Sequence, residues 1–215
     1  MSRLFVLGAL LALGCGGDQK AAPFDDARGQ VEVGKAAERF SYPAGPYGAT
    51  VGATIENFHF LGWKDPKTEN YDTERLVDHS LAEFYDPDGS KGIHYLLVTS
   101  TAVWCSACKA EYQDMAAQRA KYAALGVTFL GALFEDNNSD PARPEDLANW
   151  ATAYRVEFPF VLDPDLKLGS FFDRAATPMV MIVDTSTMQI EKLEEGWAAS
   201  GPGSAWDFLD THLAQ

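Results

Sequence analysis

The chain has 215 residues, of which 47% are hydrophobic and 12% aromatic, enough apolar material for one sizeable core. Its 17 Lys and Arg residues against 31 Asp and Glu residues give a net charge of -14 at pH 7. So acidic a chain repels phosphate backbones, which argues against nucleic acid as a partner.

Residues 1–15 have the pattern of a secretory signal peptide. A basic start precedes a ten-residue apolar run at 4–13. That run is too short for a spanning helix of about 20 residues, but it fits the apolar part of a signal peptide, about 7–15 residues. Residues 11–15 resemble a bacterial lipobox, which implies cleavage before Cys15 and attachment of lipid to it. We therefore expect an exported lipoprotein at the periplasmic face of a bacterial membrane, with a plain secreted chain as the alternative.

Residues 16–50 are rich in Gly, Ala, Pro and charged side chains and show little periodicity. Such a composition is typical of a flexible tether. It would hold the domain that follows, residues 51–215, away from a membrane surface.

From residue 51 onward, strand and helix patterns alternate. Strands are predicted at 55–60, 81–85, 93–99, 127–134, 158–162, 179–184 and 189–194, and helices at 108–125, 144–154 and 205–213. The run at 93–99 is almost continuously apolar, which is typical of a strand buried on both faces. Alternating strands and helices with a late strand hairpin predict an α/β sandwich around a mixed central sheet.

Cys105 and Cys108 would be the only cysteines left beside Cys15 in the mature chain, which has three in all. One close cysteine pair in an exported domain, without cysteines for a further structural disulfide, indicates redox chemistry, because disulfides persist outside the cytosol. The pair lies where the strand at 93–99 gives way to the helix at 108–125. Free N–H groups at a helix start lower the pKa of a thiol from about 8.5 towards about 3.5–7.5. We expect Cys105 to be the exposed nucleophile and Cys108 to resolve the mixed disulfide.

Three segments resemble the thioredoxin superfamily, and within it the exported TlpA- and ResA-like reductases, with the AhpC/TSA redoxins nearby. They are 104–111, 158–163 and 176–184, and the likeness spans 51–215. The resemblance implies a thioredoxin-like three-layer sandwich, with a central mixed β-sheet flanked by helices. It also implies a cis proline opposite the cysteine pair, matched by Pro178.

The resemblance also implies how partners bind and what they are. Thr177 would present its backbone, and its hydroxyl, to the partner chain, while Trp104 would form part of the docking surface. The partners would be exported proteins with thiols or disulfides, reduced with electrons from a membrane donor. No organic cofactor is implied, because the cysteines carry the two electrons.

Two positions depart from the family pattern. Thr99 stands six places before the first cysteine, where relatives keep a buried acid, and Gln113 stands where they keep a helix-kinking proline. We hypothesise that Glu111 or a water takes over proton handling for Cys108. The simpler interpretation of Glu111 is a charge on the exposed surface of the helix.

Two other functions remain as alternatives. A thiol peroxidase of the peroxiredoxin type needs a Pro and a hydroxyl residue ahead of its cysteine, and Ala102 stands where the hydroxyl residue belongs. A carrier of Cu(I) could use the two soft thiolates. The four histidines form no spaced cluster, so we expect no resident metal site.

Overall fold

The computed structural model describes residues 41–214. The predicted signal peptide, Cys15 and most of the predicted tether lie outside these residues. At 41–50, the end of the tether segment, the Tyr42 hydroxyl donates a hydrogen bond to the Ile55 carbonyl at 2.9 Å. Within the described part of the chain, no helix combines the length and apolarity needed to cross a membrane.

Seven strands and three α-helices lie within residues 41–214. The strands are β1 (His59–Trp63), β2 (Val77–Ser80), β3 (Tyr95–Ala102), β4 (Val127–Glu135), β5 (Phe160–Leu162), β6 (Met179–Asp184) and β7 (Gln189–Glu195). The helices are α1 (Ser106–Ala123), α2 (Pro144–Tyr154) and α3 (Ala205–Leu213). The strands form one mixed sheet in the order β2-β1-β5-β4-β3-β6-β7, with β3, β4 and β5 parallel.

The central strand β3 is buried on both faces, as its apolar run predicts. It pairs with β4 in parallel and with β6 antiparallel. Alternate side chains point to opposite faces of a strand, so Leu97 joins one core cluster while Leu96 and Val98 join the other. Because neighbours cover both of its edges and both of its faces, β3 gives the loop that follows it a rigid base.

Different kinds of segment cover the two faces of the sheet. All three α-helices contribute side chains to the cluster on one face. The cluster on the other face is completed by the 3-10 helices Leu81–Phe84 and Lys167–Ser170, with the chain around Ile55. The result is the expected three-layer arrangement, with short helices and extended chain in place of α-helices in one outer layer.

One predicted strand is wrong, and another is displaced, since β1 (His59–Trp63) covers only the end of the strand predicted at 55–60. Most of the segment predicted at 81–85 is the 3-10 helix Leu81–Phe84, and the strand lies just before it, at β2. The Ala82 N–H donates to the Asn57 side-chain oxygen at 2.8 Å, and the Ser80 N–H donates to Glu83 Oε1 at 3.2 Å. Because side chains satisfy these backbone groups, the segment needs no neighbouring strand.

Candidate functional site

The cysteine pair lies in the loop that joins the central strand to the first helix. Cys105 is the N-cap residue of α1, and Cys108 lies in the first turn of the helix. The two form a disulfide, with their Cα atoms 5.3 Å apart. Cys105 Sγ accepts a hydrogen bond from the Cys108 backbone N–H at 3.0 Å. In the reduced protein this helix-terminal N–H stabilises a thiolate on Cys105.

The disulfide is buried more deeply than expected. Cys105 is only 3% exposed and Cys108 is fully buried, so the prediction of an exposed Cys105 is wrong. The carbonyl oxygen of Thr177 lies 3.5 Å from Cys105 Sγ, and the Trp104 and Phe172 side chains pack against the cluster that contains both cysteines. The Thr177 carbonyl thus lies beside a sulfur that is almost closed off from solvent.

The loop that faces the disulfide contains the predicted proline. The Thr177–Pro178 peptide bond is cis, directly before β6. The Gly196 N–H donates to the carbonyl oxygens of Ala176 and Pro178, at 2.9 and 2.7 Å, and so fixes the loop from the end of β7. The Thr177 hydroxyl donates to the Arg174 carbonyl at 2.9 Å. It is thus the Thr177 backbone carbonyl, rather than its hydroxyl, that faces the disulfide.

Trp104, predicted as part of the docking surface, is held by a carboxylate that the sequence did not reveal. Its indole N–H donates to Glu135 Oε2 at 2.8 Å, and its ring meets Phe134 edge to face. The other oxygen, Glu135 Oε1, pairs with the guanidinium of Arg174. A glutamate that closes an otherwise apolar strand was the available signal for Glu135, whereas Arg174 carries no local signal.

Glu111 is fully buried, so the interpretation of it as an exposed helix charge is wrong. Thr99, also buried, donates a hydrogen bond from its hydroxyl to Glu111 Oε1 at 2.5 Å. Glu111 follows Cys108 by three residues in α1, which places both on the same face of the helix. A helix residue thus supplies a buried acid beside the strand position where relatives keep theirs.

The surroundings of Glu111 hold its proton tightly. Burial raises the pKa of Glu111 well above its usual range, the hydrogen bond from Thr99 opposes this, and the negative charge of Glu194 raises the pKa further. Among the described residues, Glu111 Oε2 has no hydrogen-bond partner. Oε1 is thus the carboxyl oxygen that Thr99 binds, while Oε2 has no such contact.

Among residues 41–214, no three His, Cys, Asp or Glu side chains are grouped so that they could hold a metal ion. Cys15, predicted to carry lipid, lies outside these residues.

A family model described as the AhpC/TSA family matches residues 68–190. No curated protein matches the chain. Among solved structures, a putative thiol:disulfide interchange protein DsbE from Chlorobium tepidum covers 78% of this chain and 100% of its own, with a TM-score of 0.57 and 15% identity. A DsbF homologue from Corynebacterium diphtheriae covers 76% of this chain and 87% of its own, with a TM-score of 0.54 and 13% identity.

AhpC from Enterococcus faecalis covers 76% of this chain and 90% of its own, with a TM-score of 0.50 and 16% identity. At such identities these similarities show the fold alone. They confirm the thioredoxin-like fold predicted from the sequence.

Proposed function

We propose that this chain, which belongs to the AhpC/TSA family, is a thiol-disulfide oxidoreductase that reduces exported proteins through Cys105 and Cys108. The family and the thioredoxin-like fold support a redox enzyme in general. The dithiol mechanism is carried by one observation: a disulfide at the start of α1 lies beside the carbonyl that precedes a cis proline.

The first half of the proposed reaction forms a mixed disulfide. The Cys105 thiolate attacks one sulfur of the partner's disulfide, so that a bond forms between Cys105 Sγ and that sulfur while the partner's S–S bond breaks. The second partner sulfur leaves as a thiolate and takes up a proton. An extended partner chain would be held beside the sulfurs by Trp104 and by the backbone at Thr177 and Pro178.

The second half releases the partner. The Cys108 thiol gives up its proton and attacks Cys105 Sγ, which closes the Cys105–Cys108 disulfide and expels the partner's first sulfur as a thiolate. The partner has then gained two electrons and this protein has lost two. A dithiol donor at the membrane would restore the reduced pair by the reverse exchange, without an organic cofactor.

We propose that Glu111 accepts the proton that the Cys108 thiol releases. A base works best when its pKa is close to the working pH, and burial moves the pKa of Glu111 upward from the ordinary carboxyl range. Its free oxygen Oε2 and its position one turn after Cys108 support this role. The Thr99 hydroxyl would steady the carboxylate once the proton has left.

Measured across about pH 5 to 9, Glu111→Gln should slow exchange and lack the pH-dependent step that Glu111 contributes, because an amide cannot accept the proton. Thr99→Val should instead move that step to higher pH, since the lost hydrogen bond lowers the pKa of Glu111 in the native protein. Stopped-flow exchange rates across this pH range measure both changes. Identical profiles for wild type and Glu111→Gln would remove Glu111 from the mechanism.

The raised pKa of Glu111 also affects stability. The folded protein binds the Glu111 proton more tightly than the unfolded chain does, so stability should fall as pH rises from about 4.5 through the folded-state pKa. Glu111→Gln should not show this loss. Urea unfolding at several pH values provides the comparison.

The reduction potential of the cysteine pair tests the proposed function directly. Purified protein equilibrated against glutathione or dithiothreitol should show a reversible two-electron couple near about -270 mV, the range of a reductase. A value near about -120 mV would instead make it an oxidant of exported proteins. No reversible couple, together with fast turnover of hydrogen peroxide, would favour the peroxidase.

We further propose that lipid on Cys15 anchors the exported protein at the periplasmic side of a bacterial membrane, where the electron donor also lies. The signal-like residues 1–15 and the lipobox-like ending at Cys15 support this location. Cys15→Ala should move the protein out of the membrane fraction. Equal recovery of both forms with the membranes would contradict lipid anchoring at this cysteine.

A further inference from the structure

One carboxylate joins the two loops that flank the disulfide. Glu135 ends β4, and each of its two carboxylate oxygens holds a different loop. Oε2 accepts the indole N–H of Trp104, the residue just before Cys105, at 2.8 Å. Oε1 pairs with Arg174 on the loop that leads to the cis proline.

The Arg174 end of this bridge leads directly to the carbonyl beside the disulfide. Arg174 begins the 3-10 helix Arg174–Ala176, and its backbone carbonyl accepts the Thr177 hydroxyl at 2.9 Å. The Thr177 carbonyl oxygen in turn lies 3.5 Å from Cys105 Sγ. Whatever fixes Arg174 therefore limits the movement of Thr177 relative to the sulfur.

The Trp104 end is fixed twice by the same residue. Besides the indole bond, the Val103 N–H donates to the Glu135 backbone carbonyl at 2.9 Å. The pairing of β3 with β4 shifts register between Thr101 and Ala102, so that Ala102 lies opposite Glu135. This irregular pairing brings the end of β4 beside the loop that carries the cysteines.

The chemistry of the bridge requires a carboxylate. The Glu135 side chain is 10% exposed, and charge-assisted hydrogen bonds are stronger where water is largely excluded. Trp104 and Arg174 are both donors, and a carboxylate offers two acceptor oxygens. The amide of a glutamine would turn an N–H towards one of them, because it has a single acceptor oxygen.

We propose, on the premise of the function above, that Glu135 is a positioning residue for the partner chain. It holds Trp104 and the Thr177–Pro178 loop at a fixed separation across Cys105, so that an extended chain fits between them. Glu135 touches neither sulfur. It therefore governs how tightly a partner chain binds, while the intrinsic reactivity of the cysteine pair is independent of it.

The test uses two disulfide probes with the same aryl thiol leaving group. One carries an unstructured ten-residue peptide of alanine and serine around a central cysteine, and the other carries no peptide. Glu135→Gln should raise the concentration of peptide probe that gives half the limiting rate about fivefold. The limiting rate itself, and the rate with the small probe, should stay within about twofold of wild type. The reduction potential should not change.

A matched control comes from a second bridging carboxylate. Glu157 also joins two partners, Lys67 and Arg119, at 2.5 and 2.6 Å, but in the cleft between α1 and α2 rather than beside the disulfide. Glu157→Gln should leave both probes unaffected. Equal effects of the two substitutions on the peptide probe would overturn the positioning role.

Arg174→Gln removes the other end of the bridge from a half-exposed side chain, so it keeps the test valid if Glu135→Gln folds poorly. It should weaken peptide binding in the same direction. The double variant should bind the peptide probe no more weakly than Glu135→Gln alone, since both substitutions break the same bridge. If wild type reacts with neither probe, the proposed function itself fails. Reaction with both, but with peptide binding unchanged in the variants, refutes only the role of Glu135.

Discussion

Cys105→Ser should abolish disulfide exchange, reducing the rate at least about a thousandfold, because a serine hydroxyl neither ionises near neutral pH nor forms a disulfide. Cys108→Ser should behave differently. Its Cys105 can still attack a partner, but nothing then expels that partner, so a mixed disulfide should accumulate. Non-reducing gels and intact-protein mass spectrometry distinguish the two results.

The difference in roles follows from position. Cys105 Sγ accepts the Cys108 backbone N–H in the first turn of α1 and retains slight exposure, while Cys108 is fully buried. Cys105→Ser is thus the matched control for trapping, and the double variant should form no adduct. Adducts through Cys108 in the Cys105→Ser variant would reverse the assignment.

Trapping in an expressing bacterium extends the same experiment to the partners. If the proposed location is right, the proteins captured by Cys108→Ser should be exported proteins with cysteines and a membrane donor. Adducts confined to cytosolic proteins would contradict export while leaving the dithiol chemistry in place.

Three elements have the bounds that their local signals predicted, whereas β3 and α1 are each displaced by two or three residues. α2 begins at Pro144, with Glu145 and Asp146 in its first turn, and α2, α3 and β6 have the predicted ends. Proline at a helix start and acids in the first turn act within a few residues, so sequence patterns reveal them. The segment at 81–85 failed because Asn57, 25 residues before Ala82, satisfies its backbone.

The residues of the candidate site fall into the same two groups, those with a local signal and those that depend on contacts distant in sequence. Cys105, Cys108 and Pro178 belong to local motifs and were identified from the sequence. The bond from Trp104 to Glu135 spans 31 residues, and its presence depends on where β4 ends in the folded sheet. Such contacts leave no periodic trace, so no pattern in one sequence predicts them.

Glu111 shows why a residue can be noticed and still be misjudged. A charged helix residue is usually exposed, because burying a charge is costly unless it is paired or neutralised. Here a hydrogen bond from Thr99 and a raised pKa reduce that cost. Both effects require α1 to lie close against β3. That close packing depends on a glycine in the sheet.

Gly131 permits this close approach and provides the largest stability effect that we expect. It lies in β4 beside Thr99, and a Cβ added to it would overlap the hydroxyl oxygen of Tyr112 in α1 and lie 2.8 Å from Phe160 Cδ2. Both rings are almost fully buried and contact each other, with centroids 5.8 Å apart, so they have little room to move. Gly131→Ala should therefore destabilise the protein by about 3 kcal/mol, the upper end for overpacking.

Tyr112→Phe separates this steric overlap from other causes. The Tyr112 hydroxyl is buried without a hydrogen-bond partner among the described residues, so removing it should leave stability within about 1 kcal/mol of wild type, on the stabilising side. In the double variant the overlap with the hydroxyl is gone, and the loss should be smaller than the sum of the two single changes by about 1–2 kcal/mol.

Urea unfolding, with free energies taken by linear extrapolation, measures all four proteins. A strictly additive double variant would mean that the added methyl group does not meet the hydroxyl, and that Gly131 is needed for another reason. If the two substitutions are instead non-additive, Gly131 sets the distance between α1 and the sheet. Glu111 precedes Tyr112 in that helix, so the Gly131→Ala variant, where it still folds, should also lose part of the pH dependence that Glu111 gives to exchange.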